Sequence, residues 1–243
     1  MRIALISDQH ANDVAFGAVA DDIARVGVDR IVCLGDAVQG GPQPVQTLDR
    51  LAELGCETVL GNSDAFLLDV SAEPADQLPE EALEVREWTL AQLDERHLAQ
   101  IGGFPETVEL GADGAKMLCF HASPRSYHDV LLPEGEEIDI GPWRVEADVL
   151  AGGHTHRQWA RWIDGALYVN PGSVGLVYDH HQPQDHVLFE PVAQYAIVYT
   201  SPSGPGVDFR QVPYSLERLG GAMLGSGRPH AEEFAGRYAH LPA

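Results

Sequence analysis

Short apolar runs in this chain repeatedly end on groups able to ligate a metal. Asp8 and His10 follow "RIALIS", Asp36 follows "IVCLG", and Asn62 and Asp64 follow "TVLG". His121 follows "MLCF", and "ADVLAGG" runs into His154 and His156, which are one threonine apart. Taken singly, such residues have ordinary uses: an aspartate after a strand caps a helix, and Gly-Asp or Gly-Asn makes a turn. Together Asp8, His10, Asp36, Asn62, His121, His154 and His156 offer seven oxygen and nitrogen donors. A tetrahedral zinc with one open position uses fewer, so the set suits two ions sharing a bridging carboxylate. Mixed Asp, Asn and His donors favour Mn, Fe, Co, Ni or Zn over a thiolate-seeking ion or an all-oxygen magnesium site. In "GGHTH" the histidines, two apart in what reads as an extended segment, are expected to face the same way, with glycines admitting close backbone approach.

The elements that would position these groups alternate. "RIALIS" reads as a buried strand, and Phe16, Val19, Ile23 and Val26 recur at helical spacing with Asn12 as a cap and Gly27 past the end. A second strand lies in "DRIVCLGD"; Pro42 and Pro44 then open a helix with Val45, Leu48, Leu51 and Ala52 on one face, and a third strand follows in "ETVLGN". The pattern is βαβαβ, and open α/β sheets bind ligands where their strands end. Residues 63–103 read as helical, broken at "SAEPADQLP" and followed by one longer amphipathic helix through Leu83, Leu90, Leu93 and Leu98. Beyond Phe104 the period becomes two. Hairpins are expected around "GADG", "DG" and "PSGPG", with tail helices from Ser215.

Composition narrows the setting. A chain of 243 residues, 44% of them hydrophobic, is read as one domain over residues 1–243. No apolar run is long enough for a membrane helix, and Asp8 interrupts the N-terminal apolar stretch too early for a signal peptide, so a cytoplasmic protein is expected. Cys33, Cys56 and Cys119 have no C-x-x-C spacing and read as reduced thiols. With 37 acidic and 15 basic residues the formal charge is -22, which argues against duplex nucleic acid or an anionic membrane as partner. An anionic substrate would need a local positive centre.

The ordered series Asp8-x-His10, "GDAVQG", "GNSD", "FHASP", "GHTH" and "NPGSVG" resembles the calcineurin-like metallophosphoesterase family, in its compact bacterial and archaeal phosphodiesterase branch. The resemblance implies a four-layer αββα sandwich of two mixed sheets, with a dinuclear site at the carboxyl ends of the strands. By position it implies Asp8, His10 and His156 on one ion, Asn62, His121 and His154 on the other, and Asp36 bridging. Asp36, Asn62 and His121 would then be the catalytic residues, around a metal-bridging hydroxide that attacks a phosphodiester or a phosphomonoester. Two divalent ions, manganese foremost, two carboxylates and the hydroxide sum to about +1, enough to draw in a small phosphoester or nucleotide. The same fold serves the retromer scaffold subunit as a binding platform with an altered site, the alternative reading here.

Around this set, Arg125 in "HASPR" is expected to clamp phosphate oxygens, Arg157 is read more readily as a surface ion pair, and Asn12 is a substrate contact or a helix cap. Many relatives carry a histidine where this chain has Ser63. Its absence favours a leaving group that departs with little protonation, or another donor such as His128 or water. Asp64 is read as orienting a neighbour, Ser173 lacks the pattern of a nucleophile elbow, and His180, His181 and His186 are read as a solvated loop.

Overall fold

The computed structural model describes residues 1–73, 78–112, 114–134, 147–183, 187–201 and 204–238. Parallel strands β1 (Arg2–Ile6), β2 (Arg30–Cys33) and β3 (Glu57–Thr58) are joined by helices α1 (Asp13–Val26) and α2 (Pro44–Glu53). Three helices follow: α3 (Asn62–Leu68), α4 (Glu80–Gln92) and α5 (Glu95–Gly102), with one 3-10 turn at Val70–Ala72. The hairpin β4 (Thr107–Ala112) and β5 (Ala115–Phe120) leads to β6 (Val149–Ala151), then to the hairpin β7 (Gln158–Ile163) and β8 (Ala166–Pro171). Last come β9 (Val192–Tyr199), β10 (Gly206–Pro213), α6 (Leu216–Gly225) and α7 (Ala231–Gly236). Two mixed five-stranded sheets result, ordered β10-β9-β1-β2-β3 and β4-β5-β6-β8-β7.

Strict alternation sorts the strand residues between layers. Ile3 and Leu5 of β1, Val32 of β2, Met117 and Cys119 of β5, and Leu167 and Val169 of β8 fill the space between the sheets. Ala4, Ile6 and Cys33 face the other way, against Phe16, Val19, Leu48, Leu51, Leu67 and Ile101 on the helices. Each such buried side chain contributes roughly 1.5–3 kcal/mol relative to exposure. On the outer face of the second sheet Leu118, Phe120, Leu150, Trp159 and Tyr168 cluster with Leu131 and Ala147; residues 135–146, between those two, lie outside the described set.

Two expectations about helices are corrected. Ala52 is exposed, and α2 buries Pro44, Thr47, Leu48 and Leu51 instead, because Thr47 turns inward and its hydroxyl donates to the Gln43 carbonyl. The single long helix through Leu83 and Leu98 is two helices. The Asp94 side chain accepts from the His97 N–H and starts α5 afresh, while α4 buries Val85 and Thr89. Cys33 and Cys119 are buried and Cys56 is half-buried, all as free thiols. Among the described residues no helix is long and apolar enough to cross a membrane.

Candidate metal centre

The loops leaving β1 and β2 are laced together by backbone bonds: the N–H groups of Asp8, His10 and Ala11 donate to the carbonyls of Gly35, Asp36 and Ala37. This brings Asp8, His10 and Asp36 to one place at the carboxyl edge of the first sheet. From the second sheet, the turns after β5 and β6 bring His121, His154 and His156. The chain makes this convergence in a costly conformation. Asp8, His10, Asp36, His154 and His156 all have left-handed backbone, with φ between 46° and 66°. Such φ values in non-glycine residues cost free energy and persist where surroundings impose them, typically at functional sites.

The expectation that His154 and His156 face the same way is overturned by this backbone. The segment is not extended: the Thr155 N–H donates to the Gly153 carbonyl at 2.7 Å, and the two rings diverge. The donor atoms fall into two groups, Asp8 with His10 and His156, and Asp36 with His121 and His154, the atoms within each group lying no more than 4.8 Å apart. Asn62 joins the second group, its Oδ1 lying 3.1 Å from His121 Nε2. Asp36 faces both groups. Its Oδ2 lies 3.7 Å from His10 Nε2 and its Oδ1 lies 3.4 Å from His121 Nε2.

Which atoms carry protons decides what the centre can hold. Backbone carbonyls only accept, so His10 Nδ1–H donates to Gln39 (2.9 Å), His121 Nδ1–H to Leu34 (2.7 Å) and His156 Nδ1–H to Leu176 (2.8 Å). In each neutral ring the remaining Nε2 lone pair points inward. Two of those lone pairs, on His10 and His156, lie 3.1 Å apart, with Asp8 Oδ1 3.4 Å from His156 Nε2. That Asp8 oxygen is fully buried and, among the described residues, accepts no hydrogen bond. Asn62 likewise turns its oxygen inward, because its amide N–H donates to Glu73 at 2.8 Å. Acceptors facing acceptors in a buried pocket require positive charge between them, so the donor set fits divalent ions.

The titration of the same groups shows how strongly the two carboxylates favour positive charge between them. Burial would raise Asp8, but the facing His156, with His121 and His10, holds it well below the ordinary carboxylate range. Burial opposes charge on His121 and His156, yet Asp36 and Asp8 respectively raise both above the usual imidazole value. His154, half-buried and next to His121, is lowered to about 4. Asp64 is pushed up to about 7 by burial and by Asp36, although it accepts N–H bonds from Ala37 and Val38.

Several neighbours brace the centre. Ser173 Oγ donates to the Asp8 carbonyl and accepts from the Leu176 N–H, a structural use that leaves it no role as nucleophile. The Asn170 amide N–H group spans the Gly153 carbonyl and Thr155 Oγ1, fixing the histidine turn. Glycine is needed where backbones meet side chains: a Cβ on Gly61 would strike Asp36, and one on Gly153 would strike Ser7 and Asp8.

Of the residues expected around the ligands, Asn12 is 1% exposed and fully engaged, accepting from the Ala15 N–H and donating to the Gly175 carbonyl. It caps α1, worth about 1 kcal/mol, and both ends of its amide are committed to backbone. Arg125 is exposed and, among the described residues, its guanidinium has no ion pair; it lines a cavity of about 330 Å³ with His121, Tyr127 and His128. Arg157 pairs with Glu134. His128 lies in the same cavity, its Nε2–H on the Ala72 carbonyl. His180 stacks on Tyr178, whose ring packs on His156; His181 is exposed, and His186 lies outside the described residues. Glu73 and Gln39, which hold Asn62 and His10, gave no sequence signal, because one sits in a helix break and the other acts through its carbonyl.

A family model for the calcineurin-like phosphoesterase superfamily domain matches residues 1–192. The chain belongs to that superfamily. Over 205 residues, 77% of this chain and 82% of the relative, it is 28% identical to an uncharacterized protein of Methanocaldococcus jannaschii. A metallophosphoesterase from Sphaerobacter thermophilus superposes with a TM-score of 0.73 at 27% identity, covering 98% of each chain. A hypothetical protein from Pyrococcus horikoshii OT3 has the same fold, with a TM-score of 0.80 at 16% identity over 96% of this chain and 97% of that one. The superfamily match stops near the start of β9, so β10, α6 and α7 lie outside it.

Proposed function

We propose that this protein is a dinuclear metal-dependent phosphoesterase that hydrolyses small phosphodiesters, with phosphomonoesters as secondary substrates. The observation that carries the reading is Asp36, with one oxygen facing each of two donor groups. Asp8, His10 and His156 would hold one divalent ion, Asn62, His121 and His154 the other, and Asp36 both. When bound, such a pair supplies Lewis acidity and activates water for in-line displacement at phosphorus.

The chain's own contribution is position. The Ser63 N–H, 2.9 Å from Asp36 Oδ1, fixes the carboxylate shared between the groups. Asp64 accepts from Ala37, Val38 and Gly61 and ties the second and third loops together. Arg125, at the cavity beside His121, would orient phosphate oxygens with its guanidinium, which has no ion pair among the described residues. Ser63 cannot protonate a leaving group as an imidazole would, so aryl esters are the expected good substrates and alkyl esters poor ones.

The test is turnover of bis(4-nitrophenyl) phosphate by protein reconstituted with Mn, Ni, Zn or Fe. Activity that falls by more than about 100-fold in Asp36→Asn and His121→Ala supports the reading, since loss of even a ligand's supporting partner costs 10–100-fold. A protein that binds two ions per chain and hydrolyses neither mono- nor diesters would be a scaffold instead.

A further inference from the structure

A cavity of about 410 Å³ opens beside His10, distinct from the one that contains Arg125. His10 and Ser63 line it from the metal side, and Arg228, Phe234 and Arg237 line it from the C-terminal segment that lies beyond the superfamily match. We propose that this cavity receives the second substituent of the phosphodiester, and that the substituent carries an oxyanion bound by Arg228. The proposal rests on the phosphoesterase reading, since it names the substrate of that same centre.

Arg228 is 8% exposed, yet among the described residues no carboxylate pairs with it. Its Nε donates to the Gly40 carbonyl and its Nη1 to the Pro229 carbonyl, each at 2.6 Å, while Nη2 has no partner among the described residues. Phe234 covers one face of the guanidinium, 4.6 Å from its ring centroid. Two carbonyl dipoles do not neutralise a buried charge; burial and the nearby Arg237 lower this guanidinium to about 10. An oxyanion in the cavity would complete it, in the fork geometry that arginine offers.

Ser63 and Gln39 also line the cavity, and among the described residues Ser63 Oγ and Gln39 Oε1 are buried without a partner. A small rotation of either side chain would bring a donor to the oxyanion, since a hydroxyl and a primary amide can both donate. Glu81, His230 and Glu233 also border the cavity, but all three are exposed, His230 is bonded to Glu84, and Glu233 pairs with Arg237. They form a solvated rim, where screening weakens their effect on an anion held by enclosed Arg228.

Arg228 also has a structural use. The Gly40 carbonyl that it holds belongs to the loop against His10, so its loss could loosen the centre for every substrate alike. The experiment separates the two roles. Manganese-loaded full-length protein is assayed on bis(4-nitrophenyl) phosphate, 4-nitrophenyl 4-carboxyphenyl phosphate and 4-nitrophenyl 4-(phosphonomethyl)phenyl phosphate. Arg228→Gln should raise KM for a charged ester at least about tenfold more than for the neutral one, with partial recovery in Arg228→Lys. Whichever charged ester shows the effect identifies carboxylate or phosphate as the anion. An equal change on all three esters overturns the proposal and leaves a clamp. Calorimetric titration of metal-free protein with inorganic phosphate gives a second readout: binding lost in Arg228→Gln supports the site, and no difference between the two proteins overturns it. If phosphate binds in this way but no ester is hydrolysed, the anion site stands and the phosphoesterase reading falls.

Discussion

His154 and His156 differ by two positions in sequence and by which donor group they enter. The left-handed backbone at both, with φ of 66° and 53°, turns one ring toward Asp36 and His121 and the other toward Asp8 and His10. Their replacements should therefore be inequivalent. His154→Ala is expected to weaken the ion beside Asn62 and His121, and His156→Ala the ion beside Asp8 and His10, each reducing content from about two ions per chain to about one. Elemental analysis after dialysis gives the count, and cobalt spectra of the residual ion identify which site survives. Identical spectra in the two variants would mean that both histidines serve one ion. The residue identities of this centre were legible in sequence, because aspartate and histidine after short apolar runs are conspicuous. Their division between two groups was implied by the family resemblance but not by the spacing, since nothing in "GGHTH" announces that non-glycine residues will adopt positive φ.

The loops deliver those residues because backbone passes close to backbone at the sheet edge. At Gly61 a Cβ would meet the Asp36 amide and carboxylate, so the turn into α3 can approach only without a side chain. Gly61→Ala should shift Asp36, lowering metal affinity by about 10–100-fold and stability by about 1–3 kcal/mol. Gly55→Ala is the control. Gly55 has φ of 63° but open space around its Cβ position, so it should cost stability through strain without changing metal affinity. Metal titration with thermal unfolding checks both; equal losses of affinity would sink the steric argument. The strands and hairpins were readable from period and turn residues, and the helix boundaries less so. Leu83 to Leu98 keeps a helical period across a real break, because the cap at Asp94 is one side chain among many that could have stayed in solvent. The wall that Arg228 builds gave no signal at all: in "SGRPH" it looks like any loop arginine, and its contact with Gly40 spans 188 positions.

Across the whole molecule a charge of -22 must be managed, and one buried carboxylate shows how. Asp22, on the inner side of α1, accepts from Tyr195 on β9 and from Arg210 on β10, each at 2.7 Å, and pairs with Arg25. It thereby ties the βαβ half of the first sheet to the antiparallel pair that extends it. The Arg210 hydrogen bond, opposed by desolvation and helped by Tyr195 and Arg25, lowers Asp22 to about 2 from an ordinary 3.8. A carboxylate with a depressed folded pKa adds stability above its unfolded value and loses it as pH falls toward the folded one. The window therefore runs from about pH 4 down to about pH 2. Arg25 is exposed, Arg210 partly so, and both are screened, so the contribution at neutral pH is on the order of 1 kcal/mol. Urea unfolding of metal-free wild type and Asp22→Asn should show a gap of about 1 kcal/mol that is constant between about pH 5 and 7 and narrows below about pH 4. A gap that instead widens with acid would show that the carboxylate is a liability in the folded state.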